Sequence, residues 1–264
     1  MSRLNRRPVG STCPPPLRLE IFAIPGLPEI AAGDALADLL CHAVAENGQA
    51  LADGDVLVVA QKIVSKAEGR LVELSTVEPS AFAASLAQAT GKDPRQVEVV
   101  LRESRRIVRM DAGVMVVETH HGFVCANAGV DSSNVPAGWV SLLPADPDAS
   151  ARGLQRQILE KTGKRVAVLI TDTFGRPWRE GLTNVAIGAA GLRPLVDYRG
   201  QKDDQGHLLG ATVIAAADEL AAAAELVMGK TARRPAAIIR HYVWAEESGQ
   251  AADLIRPREK DLFR

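Results

Sequence analysis

Two stretches of the chain carry side chains that could do chemistry. One is Asn127-Ala128-Gly129-Val130-Asp131-Ser132-Ser133-Asn134-Val135, and the other is Ile170-Thr171-Asp172-Thr173-Phe174-Gly175-Arg176. Each presents a single aspartate among hydroxyls and amides. If the two stretches converge, their carboxylates repel unless a proton or a cation lies between them. Mg²⁺ or Mn²⁺ prefers such hard oxygen ligands and leaves room for substrate phosphates. Arg176 and Arg179, close by in sequence, could neutralise a transferring phosphoryl group. On spacing alone Asp172 keeps a second reading, as the cap of a following turn.

The elements that must position these groups can be read from hydrophobic pattern. Val166 to Ile170 is a run of five apolar residues, which predicts a strand buried on both faces. Polarity changes abruptly at Thr171. Gly175 and Pro177 then predict that the strand gives way to a turn carrying Asp172. Open α/β sheets place their chemistry at such strand ends. Val56 to Ala60 predicts a second buried strand. It leads into Gln61-Lys62-Ile63-Val64-Ser65-Lys66-Ala67-Glu68-Gly69-Arg70. That cationic segment is either a solvated connection or a phosphate or carboxylate contact made by Lys66 with help from Lys62.

The rest of the chain frames these segments. Leu19 to Ile24 reads as a strand closed by the turn Pro25-Gly26-Leu27-Pro28. Asp34, Asp148 and Asp218 are expected to cap helices. Helices are expected over Ser80 to Ala89 and Asp93 to Arg105, the second placing Arg102, Arg105 and Arg106 on a solvated face. Val114 to Glu118 and Phe123 to Ala126 read as a hairpin, with His120 and His121 as exposed loop residues rather than a metal pair. Val185 to Leu192 is a small-residue strand, and Ala236 to Ile239 a last strand.

Bulk properties exclude several classes. The chain has 264 residues, 47% of them hydrophobic and 24% charged, as in ordinary globular proteins. Its net charge of −1 offers no basic field for nucleic acid or an anionic membrane. No run of 18 apolar residues predicts a membrane span. The N-terminus lacks the apolar core of a secretory signal, and three cysteines without a C-x-x-C fit a reducing cytoplasm. Gly229-Lys230-Thr231 ends like a phosphate loop, but Ala224 stands where that loop needs its first glycine. The expected fold is therefore α+β (mixed α/β). One compact domain over residues 18–264, neither Rossmann nor P-loop, would follow a disordered tail over residues 1–17.

The two aspartate stretches, together with Val64-Ser65-Lys66-Ala67-Glu68-Gly69-Arg70 and Ile24-Pro25-Gly26-Leu27-Pro28, resemble the coenzyme F420-0:L-glutamate ligases. The four blocks occur in the family's order and with similar gaps, from about Leu19 to the last strand. The resemblance implies a GTP-dependent amide ligase. Such an enzyme adds L-glutamate to the lactyl-phosphate carboxylate of coenzyme F420-0, and further γ-linked glutamates after it, through an acyl phosphate. It implies an intertwined homodimer using two Mg²⁺ or Mn²⁺ ions and K⁺. Carried over by motif, Asp131 and Asp172 ligate one metal and Thr173 a second. Asp131, Asp172 and Arg176 are then the candidate catalytic residues. Pro25, Gly26, Leu27, Pro28, Gln61, Lys62, Lys66, Asn134, Met228, Gly229, Lys230 and Thr231 are the candidate GTP contacts.

Three departures accompany the resemblance. Met228-Gly229-Lys230-Thr231 stands where some archaeal members have Met-Gly-Glu-Gly, so an acidic group near the second metal is replaced by a lysine that could pair with a phosphate instead. Gln61-Lys62 replaces a small hydroxyl pair associated with guanine-nucleotide contact. The flavin-reductase-like domain fused to actinobacterial relatives has no counterpart, so no FMN chemistry is expected. Two other functions could use the same residues: a metal-dependent nucleotide phosphohydrolase, and a non-catalytic nucleotide-binding regulator.

Overall fold

The fold was analysed in a computed structural model that describes residues 18–111, 113–244 and 249–261. The tail expected over residues 1–17 lies outside the described residues. In chain order the elements are β1 (Glu20–Ala23), α1 (Leu36–Glu46), β2 (Val56–Ala60), α2 (Gln61–Ala67), β3 (Leu71–Glu73), α3 (Ala81–Thr90) and α4 (Pro94–Arg102). Next come β4 (Ser104–Asp111), β5 (Val114–Thr119), β6 (Val124–Ala126), β7 (Trp139–Ser141), α5 (Pro147–Thr162), β8 (Ala167–Arg176) and β9 (Arg179–Ala190). The chain closes with β10 (Val196–Asp197), β11 (Val213–Ile214), α6 (Ala216–Met228) and β12 (Ala236–Arg240). The arrangement is mixed α+β, as expected, with no Rossmann pattern.

A five-stranded sheet, ordered β1-β12-β2-β8-β9, is the centre. Only β2 and β8 pair in parallel, with Ala60 opposite Thr171. The pleat sends alternate residues to opposite faces. Val168 and Ile170 join Leu40, Ile158 and Ile238 on the face covered by α1 and α5. Leu169 joins Leu220, Ala224 and Met228 on the face covered by α6. Every residue from Val166 to Ile170 is buried, so the predicted two-sided strand is what forms. A second layer pairs the β4-β5-β6 sheet with α3 and α4 around Met115, Val117 and Val100.

Four local expectations are corrected. First, β8 does not turn at Asp172; it continues to Arg176 because β9 pairs with it along its length, Asp172 facing Val185 and Gly175 facing Leu182. Second, the segment after β2 is a helix, α2, that buries Gln61, Ser65 and Lys66. Third, α4 ends at Arg102, and Arg105 and Arg106 instead lie on β4, bonded to Glu118. Fourth, the three aspartates do not cap helices. Asp34 accepts from the Ala31 N–H (2.8 Å) in the preceding turn. Asp146, not Asp148, caps α5 by accepting from the Ala149 N–H, and Pro147 follows it.

Asp148 and Asp218 have a different task. β9 is the open edge of the central sheet, and an edge exposes unpaired N–H groups. Asp218 accepts from the Ala186 N–H (2.9 Å) and Asp148 from the Ala189 N–H (2.8 Å). Asp148 also accepts from the Ala251 N–H (2.7 Å), which ties the C-terminal segment to this edge.

Between these contacts α5 approaches β9 so closely that only glycine fits at 188. A Cβ there would stand 2.3 Å from the Pro147 carbonyl oxygen, a backbone atom with no rotamer to yield. Gly188→Ala is therefore expected to destabilise the fold by about 3 kcal/mol. A urea midpoint equal to that of the parent protein would contradict this close packing.

Candidate active site

The register of the central sheet brings the predicted groups together. α2 starts at Gln61 with no linker after β2, so its first turn lies level with Thr171 and Asp172 on the neighbouring strand. Lys62 projects from that turn and its ammonium bonds Asp131, the Ser133 carbonyl (2.7 Å) and the Ser133 hydroxyl (2.9 Å). Asp131 is held from behind by a two-way backbone bridge with Ser141. The approach to it is a tight turn in which Asn127, Ala128 and Gly129 all have positive φ. Gly129 is required there, since a Cβ would stand 2.7 Å from Leu143. Such a conformation persists only where its surroundings impose it.

Asp172 lies on the α1–α5 face of β8, in line with Ile170 and with Phe174, which packs on that core. Burial drives its pKa up to about 6, opposed by a Thr173 backbone bond and by Lys62 and Lys230, and reinforced by the charge of Asp131. Asp131 goes the other way. Burial raises it, but bonds from Lys62 and Ser133 outweigh this and hold it below the ordinary carboxylate value. Lys62 bonds Asp131 directly, and Asp172 on the neighbouring strand feels the charges of both, so Lys62 is the cation these two aspartates have in common. Cys125, on β6, also faces this region. Burial and the charge of Asp172 push its thiol up to about 12, so it is not a nucleophile at neutral pH.

Thr173 points to the opposite face of β8, towards α6. Its hydroxyl donates to Asn184 Oδ1 (2.7 Å) and contacts the Lys230 ammonium. Lys230 Nζ also approaches Asn184 Oδ1 (3.4 Å) and Glu225 Oε1 (3.2 Å), and Asn184 Nδ2 donates to Glu225 Oε2 (3.0 Å). Asn184 and Glu225 were not anticipated. An asparagine inside a strand is unusual enough to have been a signal, but the strand was expected to begin one residue later, at Val185.

The remaining candidates fall into place unevenly. Lys66 is buried and bonds Glu29, just beyond the Pro25-Gly26-Leu27-Pro28 turn, so this cation lies beside that turn. Leu27 is buried, whereas Gly26 and Pro28 are exposed. Gln61 turns inward and accepts from the Ser65 hydroxyl (2.8 Å). Asn134 follows Ser133 as an exposed residue with φ 53°. Met228 is a core residue, Gly229 ends α6, and Thr231 is exposed. Arg176 is not brought to the aspartates. It sits at the far end of the β8–β9 hairpin and donates to the Glu180 carbonyl (2.7 Å). His120 is exposed, as expected, but His121 is half-buried against the Pro144 carbonyl (3.0 Å) and stacks on Phe123.

Comparison with known proteins identifies the class. The profile of a ligase family described as F420-0:Gamma-glutamyl ligase matches residues 26–241. The coenzyme F420:L-glutamate ligase of Methanothermobacter thermautotrophicus is 49% identical over 249 residues, covering 93% of this chain and 99% of the relative. The proteins of the same name from Methanopyrus kandleri and Archaeoglobus fulgidus are 48% and 43% identical, over 95% and 94% of this chain and 98% and 97% of theirs. The chain belongs to the F420-0:gamma-glutamyl ligase family.

The pKa of Asp172 has a consequence for stability. Its folded value of about 6 lies above the ordinary 3.8, so between these values the native protein keeps a proton that the unfolded chain has lost. The group's stabilising share is intact below the ordinary value and is lost as pH rises through about 6. Asp172→Asn is therefore expected to raise the urea midpoint relative to the parent protein at pH 7, with the gain gone by about pH 4. An equal effect at both pH values would place the cause elsewhere.

Proposed function

We propose that this protein is a GTP-dependent ligase that joins L-glutamate to the lactyl-phosphate carboxylate of coenzyme F420-0 and then extends the product with γ-linked glutamates. The observation that supports it best is the bond from Lys62, at the start of α2, to Asp131 on its bridged turn, with Asp172 on the neighbouring strand β8 within the field of both. The relatives are coenzyme F420:L-glutamate ligases, and this supports the choice of substrates.

A carboxylate is a poor acyl donor, so the γ-phosphoryl group of GTP is first transferred to it. This gives an acyl phosphate and GDP. The glutamate amine then attacks the acyl carbon, the C–N bond forms, and inorganic phosphate leaves with the electrons of the broken C–O bond. Phosphoryl transfer of this kind needs charge neutralisation and alignment more than covalent help.

The donor set at Asp131 and Asp172 fits a hard divalent cation. Both are carboxylates, with the Ser133 hydroxyl beside them. Among the described residues no group of three or more His, Cys, Asp or Glu side chains could hold a metal by itself. A site of two carboxylates completed by substrate phosphate is the usual way Mg²⁺ is bound. Mg²⁺ or Mn²⁺ there would supply charge neutralisation for the phosphates, and K⁺ would assist at a position the residues do not specify. Lys62 keeps the site compensated before substrate arrives and then turns its ammonium to phosphate.

Thr173 is the candidate for a second divalent ion, with Asn184 and Glu225 as further oxygen ligands. Binding there requires Lys230 to leave the Thr173 hydroxyl, which frees its ammonium for a phosphate. The Pro25–Pro28 turn, Gln61, Lys66, Asn134 and the residues from Met228 to Thr231 hold GTP in this reading. The β8–β9 hairpin carries Trp178 (80% exposed) and Leu182 (68% exposed) at its tip. Two large exposed apolar side chains on this hairpin fit the intertwined homodimer.

The test is glutamylation of coenzyme F420-0 with L-glutamate, GTP and Mn²⁺, read by mass spectrometry. Addition of one or more glutamates is expected, and Asp172→Asn is expected to lower the rate by about 10³-fold. A folded Asp172→Asn protein with near-parental turnover would refute the role of Asp172. GDP release without any glutamylated product would instead identify a phosphohydrolase.

A further inference from the structure

The carboxylate of Asp131 is delivered by a turn that the chain does not adopt without help. Asn127 (φ 51°), Ala128 (φ 56°) and Gly129 (φ 71°) are consecutive left-handed residues. Asparagine and glycine tolerate that region, but an alanine Cβ crowds the neighbouring carbonyl there. Contacts from outside the turn must therefore hold it.

The second layer supplies them. Ala128 and Val130 are buried in the core shared by α3, α4 and β5, together with Met115 and Val100. The polar contact is Lys92. Its ammonium donates to Asn127 Oδ1 (2.9 Å), and the Met115 N–H approaches the same oxygen (3.5 Å). Two donors on one atom fix which end of the Asn127 amide faces inward. The Asn127 backbone carbonyl accepts from the Val130 N–H (2.9 Å), and Asp131 follows at its bridge to Ser141. A continuous path thus runs from Lys92 through Asn127 to the carboxylate that Lys62 bonds.

Lys92 itself has little freedom. Gly91, in the left-handed region, closes α3. Asp93 caps α4 by accepting from the Arg95 N–H (2.9 Å), with Pro94 in the first turn. Lys92 is the single residue between these two caps. Nothing in that connection calls for a cation. Lys92 is half-buried, burial lowers its pKa, and its side-chain partner among the described residues is a neutral amide. A charged donor bonds an amide oxygen more strongly than a neutral one does. The cost of burying this ammonium is accounted for if the turn, and not the helix connection, needs the bond.

We propose that Lys92 is a positioning residue of the ligase site, whose bond to Asn127 holds the left-handed turn that presents Asp131. The proposal rests on the ligase reading, in which Asp131 ligates a divalent ion. Lys92 touches neither substrate nor metal and acts through Asn127 alone.

The test compares Lys92→Met, which keeps the stem and loses the donor, with Lys92→Arg and Asn127→Gly, each in the full-length chain. Amide hydrogen exchange read by NMR reports on the turn without any substrate. Lys92→Met is expected to speed exchange at Val130 and Asp131 by about tenfold, while Val168 to Ile170 in β8, which report global unfolding, change less. Mn²⁺ affinity in the presence of GTP is expected to fall by about tenfold, and kcat with it, with the KM for L-glutamate unchanged. Lys92→Arg recovers most of both losses. Lys92→Met combined with Asn127→Gly costs no more than the worse of the two alone, because the two residues form one bond. Parental exchange at Val130 and Asp131 would overturn the proposal. So would equal acceleration at the turn and in β8 with parental Mn²⁺ affinity, which would make Lys92 a residue of general stability. If the parent protein binds no Mn²⁺ or forms no glutamylated product, the ligase reading fails, and exchange at the turn still decides whether Lys92 holds Asp131.

Discussion

The Lys62 ammonium bonds Asp131, and Asp172 on the adjacent strand sits within the field of both. Much of the site follows from this one compensation. Two carboxylates at close quarters cannot both ionise cheaply without a cation nearby. Asp131 takes the direct bonds and is held below the ordinary carboxylate value, whereas burial above all, with a smaller push from the Asp131 charge, raises Asp172 to about 6. The arrangement depends on backbone features far from the charges. The parallel register of β2 and β8 fixes the height of Lys62, the absence of a linker before α2 fixes its direction, and the left-handed turn at Asn127 to Gly129 fixes Asp131.

The pleat of β8 separates the site into two chambers. Asp172 faces the α1–α5 side, whereas Thr173 faces α6 together with Asn184, Glu225 and Lys230. Each chamber contains one lysine bonded to oxygen groups that could otherwise face a metal ion. Both lysines lower the pKa of Asp172, so the chambers communicate through charge although a strand lies between them. In a reaction that moves a phosphoryl group, two cations that can swing from carboxylate and hydroxyl partners to phosphate oxygens would keep the site neutral before and after substrate binds.

The core of this arrangement was legible in the sequence. A five-residue apolar run announced β8, and Asp131 and Asp172 stood out by type and setting. What was hidden depended on long-range pairing. Gly175 and Pro177 looked like strand breakers, but nine residues of β9 pair with β8 and override them. Asp148 and Asp218 precede or open helices, as caps do; only the sheet order reveals that they satisfy the open edge of β9 instead. Arg105 and Arg106 read as the end of a helix face until β5 draws them into a strand. Their approach to Arg256 and Arg258 joins positions some 150 residues apart, which no local pattern encodes. Asn184 and Glu225 escaped for the same reason.

The most direct measurement of the central claim is Mn²⁺ binding in the presence of GTP, followed by electron paramagnetic resonance in the parent protein and in Asp131→Asn, Asp172→Asn and the double variant. Changes outside the ligand shell alone cost 10–100-fold in metal affinity, so removal of either aspartate is expected to weaken one Mn²⁺ site by about a hundredfold or more. The double variant should lose no more than that one site. Parental Mn²⁺ affinity in the double variant would contradict the account, because the two aspartates would then share a lysine and not a metal.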